Sequence, residues 1–445
     1  MKNQFIFLNI LLFTSFTTFI SSDDVLIDAY MNDEEYLIFK EKVSLSVTSH
    51  PDYLSAKQSL KVASEGIKAS KSSLLPQIQL IIDSDNVLDR SFENGQDNLF
   101  EKSRSDHKTN ASISISQLLY DFGATKNDIS KSESIFKATR ADLSVAILNL
   151  TFQAISSYIN VSSYNAYTKV VNSSYERHKL IKDRISKKVK GGMSASRELS
   201  RASAREAEAY AKLIFARQSL SRAISSFRIY FPDEPLPSKI PFYSNSLLER
   251  NYLDSRNTML LANPEILQAN ESLRASVFNS NLVDARTLPR LDLEIRGSQY
   301  NLSDQSDEYD LYSGLNLSYD LYSGGRNRAL KSQASAEVLV FQNNRDSLLR
   351  NLSAELNNSI KNIKLIPESL AAYQNAYQAN KESRYYANEQ FETSNVLLLD
   401  LLQTERDFLE SSEALIESMR SSQIENYIFL KLTGELGDEF KIILN

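Results

Sequence analysis

The side chains best suited to metal binding or to acid–base work near neutral pH are three histidines, His50, His107 and His178, scattered along the chain. No ligand cluster can be read from that spacing, and His178 falls on a helical seam where packing is the expected role. With no cysteine in the sequence, disulfides, thiolate zinc sites, a cysteine nucleophile and a lipidated N-terminal cysteine are excluded. There is no phosphate loop, no HExxH pair and no nucleophile elbow. Adjacent acids such as Asp33-Glu34-Glu35 form a local charge run. The expectation is a protein that is not an enzyme and that uses no metal and no cofactor.

The elements present point elsewhere. The 445 residues carry a formal charge of −6 without a charge block, which gives no case for nucleic acid. Gly 11 and Pro 9 are low counts for this length and favour long uninterrupted helices. At the N-terminus Lys2 precedes a largely apolar stretch from Phe5 to Ile20, followed by Ser21, Ser22 and the acidic Asp23-Asp24. That order reads as a secretory signal over residues 1–22. Beyond it there is no run of about 18 apolar residues, so a membrane role would have to use strands.

Internal repetition organises the chain. His50-Pro51-Asp52-Tyr53-Leu54 resembles Asn263-Pro264-Glu265-Ile266-Leu267 at an offset of 213, and Leu74-Leu75-Pro76 recurs as Thr287-Leu288-Pro289 at the same offset. Leu119-Tyr120-Asp121-Phe122-Gly123 matches Leu321-Tyr322-Ser323-Gly324-Gly325 at an offset of 202, as Glu198-Leu199 matches Asp400-Leu401. Each half reads as helix, two strands, long helix, helix. Residues 23–230 form the first repeat, 231–262 a linker, 263–433 the second repeat and 434–445 a tail.

From Leu143 through Ile147, Leu150, Ala154, Ser157 and Val161 to Tyr175, seam residues step by three and four, and the equivalent positions of the second repeat continue the steps from Arg345 to Tyr377. Between Gly123 and Gly191 lie 67 residues without Gly or Pro; a helix that long extends roughly 100 Å and suits a fibre, coiled coil or tube wall. Lys190-Gly191-Gly192-Met193-Ser194 ends it, with Ser194 or Ser196 expected to cap the next helix. Thr393-Ser394-Asn395 is the equivalent turn, and Pro367 is expected to kink the second long helix.

Four segments alternate instead: Gln77 to Ile82, Ile113 to Leu119, Leu291 to Arg296, and Leu311 to Leu321. Their length suits a tilted membrane strand of about 9–13 residues. Tyr120, Phe122, Tyr300, Tyr309, Tyr312, Tyr319 and Tyr322 stand at their ends, as aromatics do at membrane interfaces. The links at 84–109 and 301–310 are polar. Four strands close no barrel alone and open edges are not tolerated in lipid, so several chains would have to share one barrel.

With Pro76 and Pro289 before the first strand of each pair, and Tyr-Asp-Phe-Gly or Tyr-Ser-Gly-Gly after the second, residues 45–433 resemble the TolC family of outer-membrane efflux and secretion channels. The resemblance implies a mainly α fold with a small β part: a duplicated long-helix bundle forming a tunnel, plus four strands per chain in a twelve-stranded barrel shared by a homotrimer. It implies a passive pore in outer-membrane lipid with a large periplasmic portion and an equatorial region from 231–262. A periplasmic adaptor protein and, through it, an inner-membrane ABC or proton-driven transporter would be the partners.

Within that resemblance Pro76, Gly123, Pro289, Gly324 and Gly325 mark strand–helix junctions. Gly191, Gly192, Ser194, Glu198, Ser394 and Asn395 form the helix-turn tips that meet the adaptor. The segment from Val189 to Leu199 is similar to the turn of members that serve type I secretion, so protein export is the expected role, with small-molecule efflux as the alternative. Asp400 matches the first acidic position of the family's entrance constriction, while Gln403 stands where a second acid is usual. Three Asp400 carboxylates brought together would raise one another's pKa and weakly attract cations. A soluble periplasmic coiled-coil scaffold explains the helices but leaves the alternating segments without a role.

Overall fold

A computed structural model describes residues 30–89, 91, 107–243, 245–302, 308–392 and 397–442. The signal segment 1–22 and the turn residues Ser394 and Asn395 lie outside the described residues. The fold is mainly α with a small β part. In chain order the elements are α1 (Asp33–Ser49), α2 (Pro51–Ser72), β1 (Gln77–Asn86), β2 (His107–Tyr120), α3 (Ala124–Lys190), α4 (Ser196–Tyr230), α5 (Tyr252–Ala262), α6 (Pro264–Ala285), β3 (Arg290–Gln299), β4 (Tyr309–Ser318), α7 (Arg326–Glu392), α8 (Leu398–Thr433) and α9 (Leu436–Glu439). A 3-10 turn spans Asn245–Glu249.

Corresponding elements keep the sequence offsets. Helices α2 and α6 both begin at the repeated proline, Pro51 and Pro264, and strands β1 and β3 keep that same spacing. Helices α3 and α7 are both 67 residues long and are related by the second offset, 202. The chain forms two compact units, and each draws on both halves. One comprises Met1–Leu54, Ser144–Asn263 and Asn351–Asn445; the other comprises Ser55–Leu143 and Pro264–Arg350.

In the second unit the sheet is antiparallel, in the order β1-β2-β3-β4, with a register shift between Leu118 and Tyr120. The strands reach further into the polar links than alternation indicated, because pairing continues through hydrophilic rows such as Asp83↔Asn110 and Asn86↔His107. β4 stops at Ser318, so Tyr319 and Leu321 lie past the strand.

In the first unit, side chains from α1, α3, α4 and the C-terminal segment converge on an aromatic core. Phe39 meets Tyr158 edge-on at 4.7 Å and Phe440 at 5.9 Å, while Phe227 stacks on Phe231 at 4.8 Å. Phe227 and its repeat equivalent Phe429 are both fully buried. The seam is buried along α3 at Leu143, Ile147, Leu150, Ala154 and Val161, and along α7 at Leu352, Leu356, Ser359, Ile363 and Tyr377, although Tyr373 is exposed. Pro367 lies inside α7 without ending it, although its missing N–H leaves the carbonyl of Ile363 without its helical partner.

The linker contains α5, a helix the composition did not signal. It packs on α8 at a close crossing: Gly434, left-handed at φ 81°, caps α8, and a Cβ there would lie 2.6 Å from the Ala262 carbonyl oxygen. Buried Asn263 donates from Nδ2 to the Leu432 carbonyl at 2.9 Å. Gly434→Ala is expected to destabilise the protein by about 1–2 kcal/mol from the left-handed backbone alone, with the collision adding to it. The thermal midpoint of the purified variant reads this directly.

Candidate functional site

The corners between sheet and helices are built by side-chain caps. At the end of β2, Asp121 accepts from the Gly123 N–H at 3.1 Å, and from the N–H and hydroxyl of Thr125 at 2.6 Å each. That satisfies donors at the start of α3. The positive φ of Phe122 and Gly123 makes the reversal. Ser323, the repeat equivalent of Asp121, accepts from the Asn327 N–H at 3.2 Å before α7, and Gly324 and Gly325 supply the left-handed residues. The two tetrapeptides are thus one device with different caps, and an Asp or Ser three residues before a helix was a legible signal for it. Pro76 and Pro289 sit immediately before β1 and β3, where the missing N–H costs no ladder bond. Gln117 donates to the Leu74 carbonyl at 2.8 Å and secures the α2–β1 corner.

Register separates two chemistries on the sheet. Ile78, Ile115, Ile295 and Ser313 share one row; Leu80, Ile113, Gly297 and Leu311 share the next; Leu293–Leu315 and Leu291–Leu317 continue the same face. Leu80, Leu311, Leu315 and Leu317 are exposed. The opposite face carries Gln79, Ser114, Arg296 and Tyr312 in one row, and Gln77, Ser116, Glu294 and Gly314 in another. Arg296 pairs with Glu294 at 2.5 Å and lies 5.8 Å from the Tyr312 ring centroid. Tyr312 therefore belongs to the polar face and takes no place among lipid-facing aromatics. Tyr120 and Phe122 pack edge-on at 4.8 Å where β2 ends.

The turn after α3 is a Schellman motif: Met193 N–H donates to the Lys188 carbonyl at 2.8 Å, Gly192 N–H to Val189 at 3.0 Å, and Gly192 has φ 75°. Ser194 and Ser196 do not cap α4. Ala195 occupies that position without a side-chain bond. Packing fixes the start of α4, because Leu199 and Ala202 must enter a cluster formed by Ile181, Ile185, Ala387, Phe391, Leu398, Leu401 and Leu402. Glu198 pairs with Arg201 at 3.3 Å and Arg197 at 3.5 Å. Asp400 is exposed in the first turn of α8. Gln403, also exposed, donates to Asp407 at 2.7 Å, so a second acid lies one turn beyond Gln403 on the same face as Asp400.

A charged layer that sequence reading missed borders this apolar cluster. Glu405, 1% exposed, accepts from Arg177 Nε at 2.8 Å and Asn388 Nδ2 at 3.3 Å. Arg384 Nε lies 3.0 Å from its other oxygen, in ion-pair contact without hydrogen-bond geometry, and the guanidinium covers the Phe408 ring at 4.2 Å. His178 is buried beside it with Nδ1 unpartnered. Burial holds its pKa below the ordinary value, against the attraction of Glu405. Partners as far apart in the chain as Arg177 and Glu405 leave no local signature. Among the described residues no group of His, Asp and Glu is placed to hold a metal, and no helix is long and apolar enough to cross a membrane.

The profile of the family described as "Outer membrane efflux protein" matches residues 43–228 and 256–434, and the chain belongs to that family. It is similar to the outer membrane efflux protein BepC of Brucella suis, 20% identical over 394 residues that cover 86% of this chain and 82% of BepC. It is also similar to the outer membrane protein TolC of Vibrio cholerae, 22% identical over 386 residues, covering 82% and 83%. The CmeC outer membrane channel of Campylobacter jejuni shares the fold, with a TM-score of 0.79 and 17% identity over 92% of this chain and 89% of CmeC. The protein is an outer-membrane channel with a large periplasmic part.

Two substitutions test the charged layer. Glu405→Ala leaves two guanidinium groups near an empty site and is expected to cost roughly 3–5 kcal/mol. Because the folded chain holds His178 below the unfolded value of about 6.5, the native state binds fewer protons there. Stability is then unaffected above that pH, falls as pH drops through it, and levels off below the native pKa. The thermal midpoint of the wild type relative to that of His178→Phe, followed from pH 8 to pH 5, is expected to be constant above about pH 6.5 and to fall below it.

Proposed function

We propose that the chain is the passive exit duct of an envelope-spanning export system, assembled as a homotrimer and opened from the periplasm by an adaptor coupled to an inner-membrane transporter. The observation that carries this reading is the sheet, apolar across one face and polar across the other, with the outer edges of β1 and β4 unpaired among the described residues. A 10-residue strand is about 33 Å long at about 3.3 Å per residue, and tilted by about 40° it covers roughly 25 Å, the height of an outer-membrane apolar band. Three copies pairing β4 with the neighbour's β1 leave no edge, as lipid requires. Residues 23–230 and 263–433 are then two copies of one repeat, with 231–262 the equatorial linker and 434–445 the tail.

The entrance in this reading is the turn end of α8. Asp400 and Asp407 form the acidic stripe, and Gln403 orients the second acid through its amide. Gly191, Gly192, Ser194 and Glu198, with Ser394 and Asn395, are the tip residues offered to the adaptor. For cargo, the turn from Val189 to Leu199 favours type I protein secretion, while the family description and the name of BepC favour efflux, for which a small-molecule cargo is the alternative. A deletion strain distinguishes them: retained toxin or adhesin secretion with new drug sensitivity supports efflux, and the reverse pattern supports secretion.

Reconstitution in a planar bilayer tests the duct itself. Cation-preferring conductance is expected, reduced in Asp400→Asn and reduced further in Asp400→Asn with Asp407→Asn. Persistent absence of conductance, also in variants altered at the turns, would refute a pore. Leu315→Arg on the apolar face is expected to cost about 2–4 kcal/mol near the bilayer midplane and to lower recovery in the outer-membrane fraction. Ser114→Arg, on the polar face, is expected to leave recovery unchanged.

A further inference from the structure

Over the four rows of the sheet's polar face that lie nearest the helices, charge is confined to one strand. Alternate residues of β3 share that face, so Arg290, Asp292, Glu294 and Arg296 follow one another along it as cation, acid, acid, cation. In the same rows the other three strands contribute only Gln, Ser, Asn, Gly, Leu and Tyr.

Each cation is held by the acid two residues along. Arg290 donates from Nε and Nη2 to the two carboxylate oxygens of Asp292 at 2.8 and 3.0 Å, and Arg296 donates from Nη2 to Glu294 at 2.5 Å. Arg296 also lies against the ring of Tyr312, its direct cross-strand partner. Both ion pairs lie within one strand, so they tie no two strands together, and pairs this exposed contribute little to stability. Cohesion of the sheet therefore does not account for them.

The partners of each pair differ in exposure. The side chains of Arg290 and Arg296 are 58% and 46% exposed, those of Asp292 and Glu294 only 20% and 28%. The guanidinium groups thus cover the carboxylates. Arg290 keeps Nη1 clear of Asp292, and Arg296 keeps Nε and Nη1 clear of Glu294. A guanidinium fixed in place with donors left over suits an oxyanion.

Twelve strands tilted by about 40° close a barrel of roughly 12 Å backbone radius. Arginines reaching several ångströms inward then lie within one ~8 Å Debye length of the axis, so everything that passes feels them.

We infer that Arg290 and Arg296 are specificity-determining residues of the passage, two guanidinium levels that take the oxyanion groups of a departing cargo. This rests on the exit-duct reading and gives the sheet its own share in selectivity, separate from the acids at the turn end of α8. Without the two arginines, Asp292 and Glu294 would face the passage bare and repel such groups.

Reversal potentials of the whole protein in a planar bilayer test this, under a gradient of KCl and then of potassium acetate, the carboxylate probe. In the variant combining Arg290→Gln and Arg296→Gln, the permeability of potassium relative to either anion is expected to rise about threefold or more. Arg290→Lys with Arg296→Lys should keep the wild-type ratio, and Asp292→Asn with Glu294→Gln should lower it by a similar factor. Should the glutamine variant fail to assemble, the Asp292→Asn, Glu294→Gln variant carries the test alone. Unchanged ratios in the charge variants, a lysine variant that behaves like the glutamine one, or a shift with chloride but none with acetate would each overturn the inference. A protein that never conducts would refute the duct reading and this inference with it, whereas conductance with an indifferent ratio overturns this inference alone.

Discussion

A sheet that is apolar on one face and, among the described residues, unpaired at both outer strands is unstable in either solvent available to it. In water it exposes Leu80, Leu311, Leu315 and Leu317 together; in lipid the edges of β1 and β4 lack hydrogen-bond partners among the described residues. Only closure with other copies removes both costs at once, and other features depend on that closure. Helix α2 has no buried residue within one chain, and Leu339 and Val340 on α7 stand exposed. The caps at Asp121 and Ser323 begin a helix within a few residues of a strand's end, so little backbone is left unsatisfied at the corner.

The turn end of the bundle answers a different requirement. The cluster from Ile181 to Leu402 supplies cohesion, since burying one large aliphatic side chain contributes about 1.5–3 kcal/mol. The adjacent Glu405 layer adds little by comparison, because desolvation offsets most of the attraction between buried charges. Its effect is on register. A one-turn slip of α8 would carry Glu405 away from both Arg177 and Arg384 and strand three charges, whereas a slip of leucines past leucines would cost far less. An apolar plug with a charged layer beside it holds the turns together while limiting how they can move apart.

Legibility in the sequence followed the range of the interaction. The limits of α3 coincide with a stretch free of Gly and Pro, and the left-handed glycines at 123, 192, 324 and 325 mark turns because few other residues adopt that conformation. Strand existence was legible from alternation, but strand ends were not, since hydrogen bonding persists through Asp83 and Asn110 where side chains no longer alternate. The cap at Ala195 defied local propensity because Leu199 and Ala202 fix the phase of α4 from outside. The Glu405 layer, and the role of Asp407 beside Gln403, needed three-dimensional contacts that no periodicity encodes.

The two turns show where equivalence stops. Equivalent segments of the two repeats must keep the same helix limits and seam spacing, because each long helix packs through those positions. Surface charge carries no such constraint. Its net sign has reversed, from +4 over 182–208 to −4 over 384–410. Charge is also what a partner meets first, at distances near the ~8 Å Debye length of physiological salt. Divergence in charge at conserved helix length thus leaves two equivalent segments of one chain with opposite net charge.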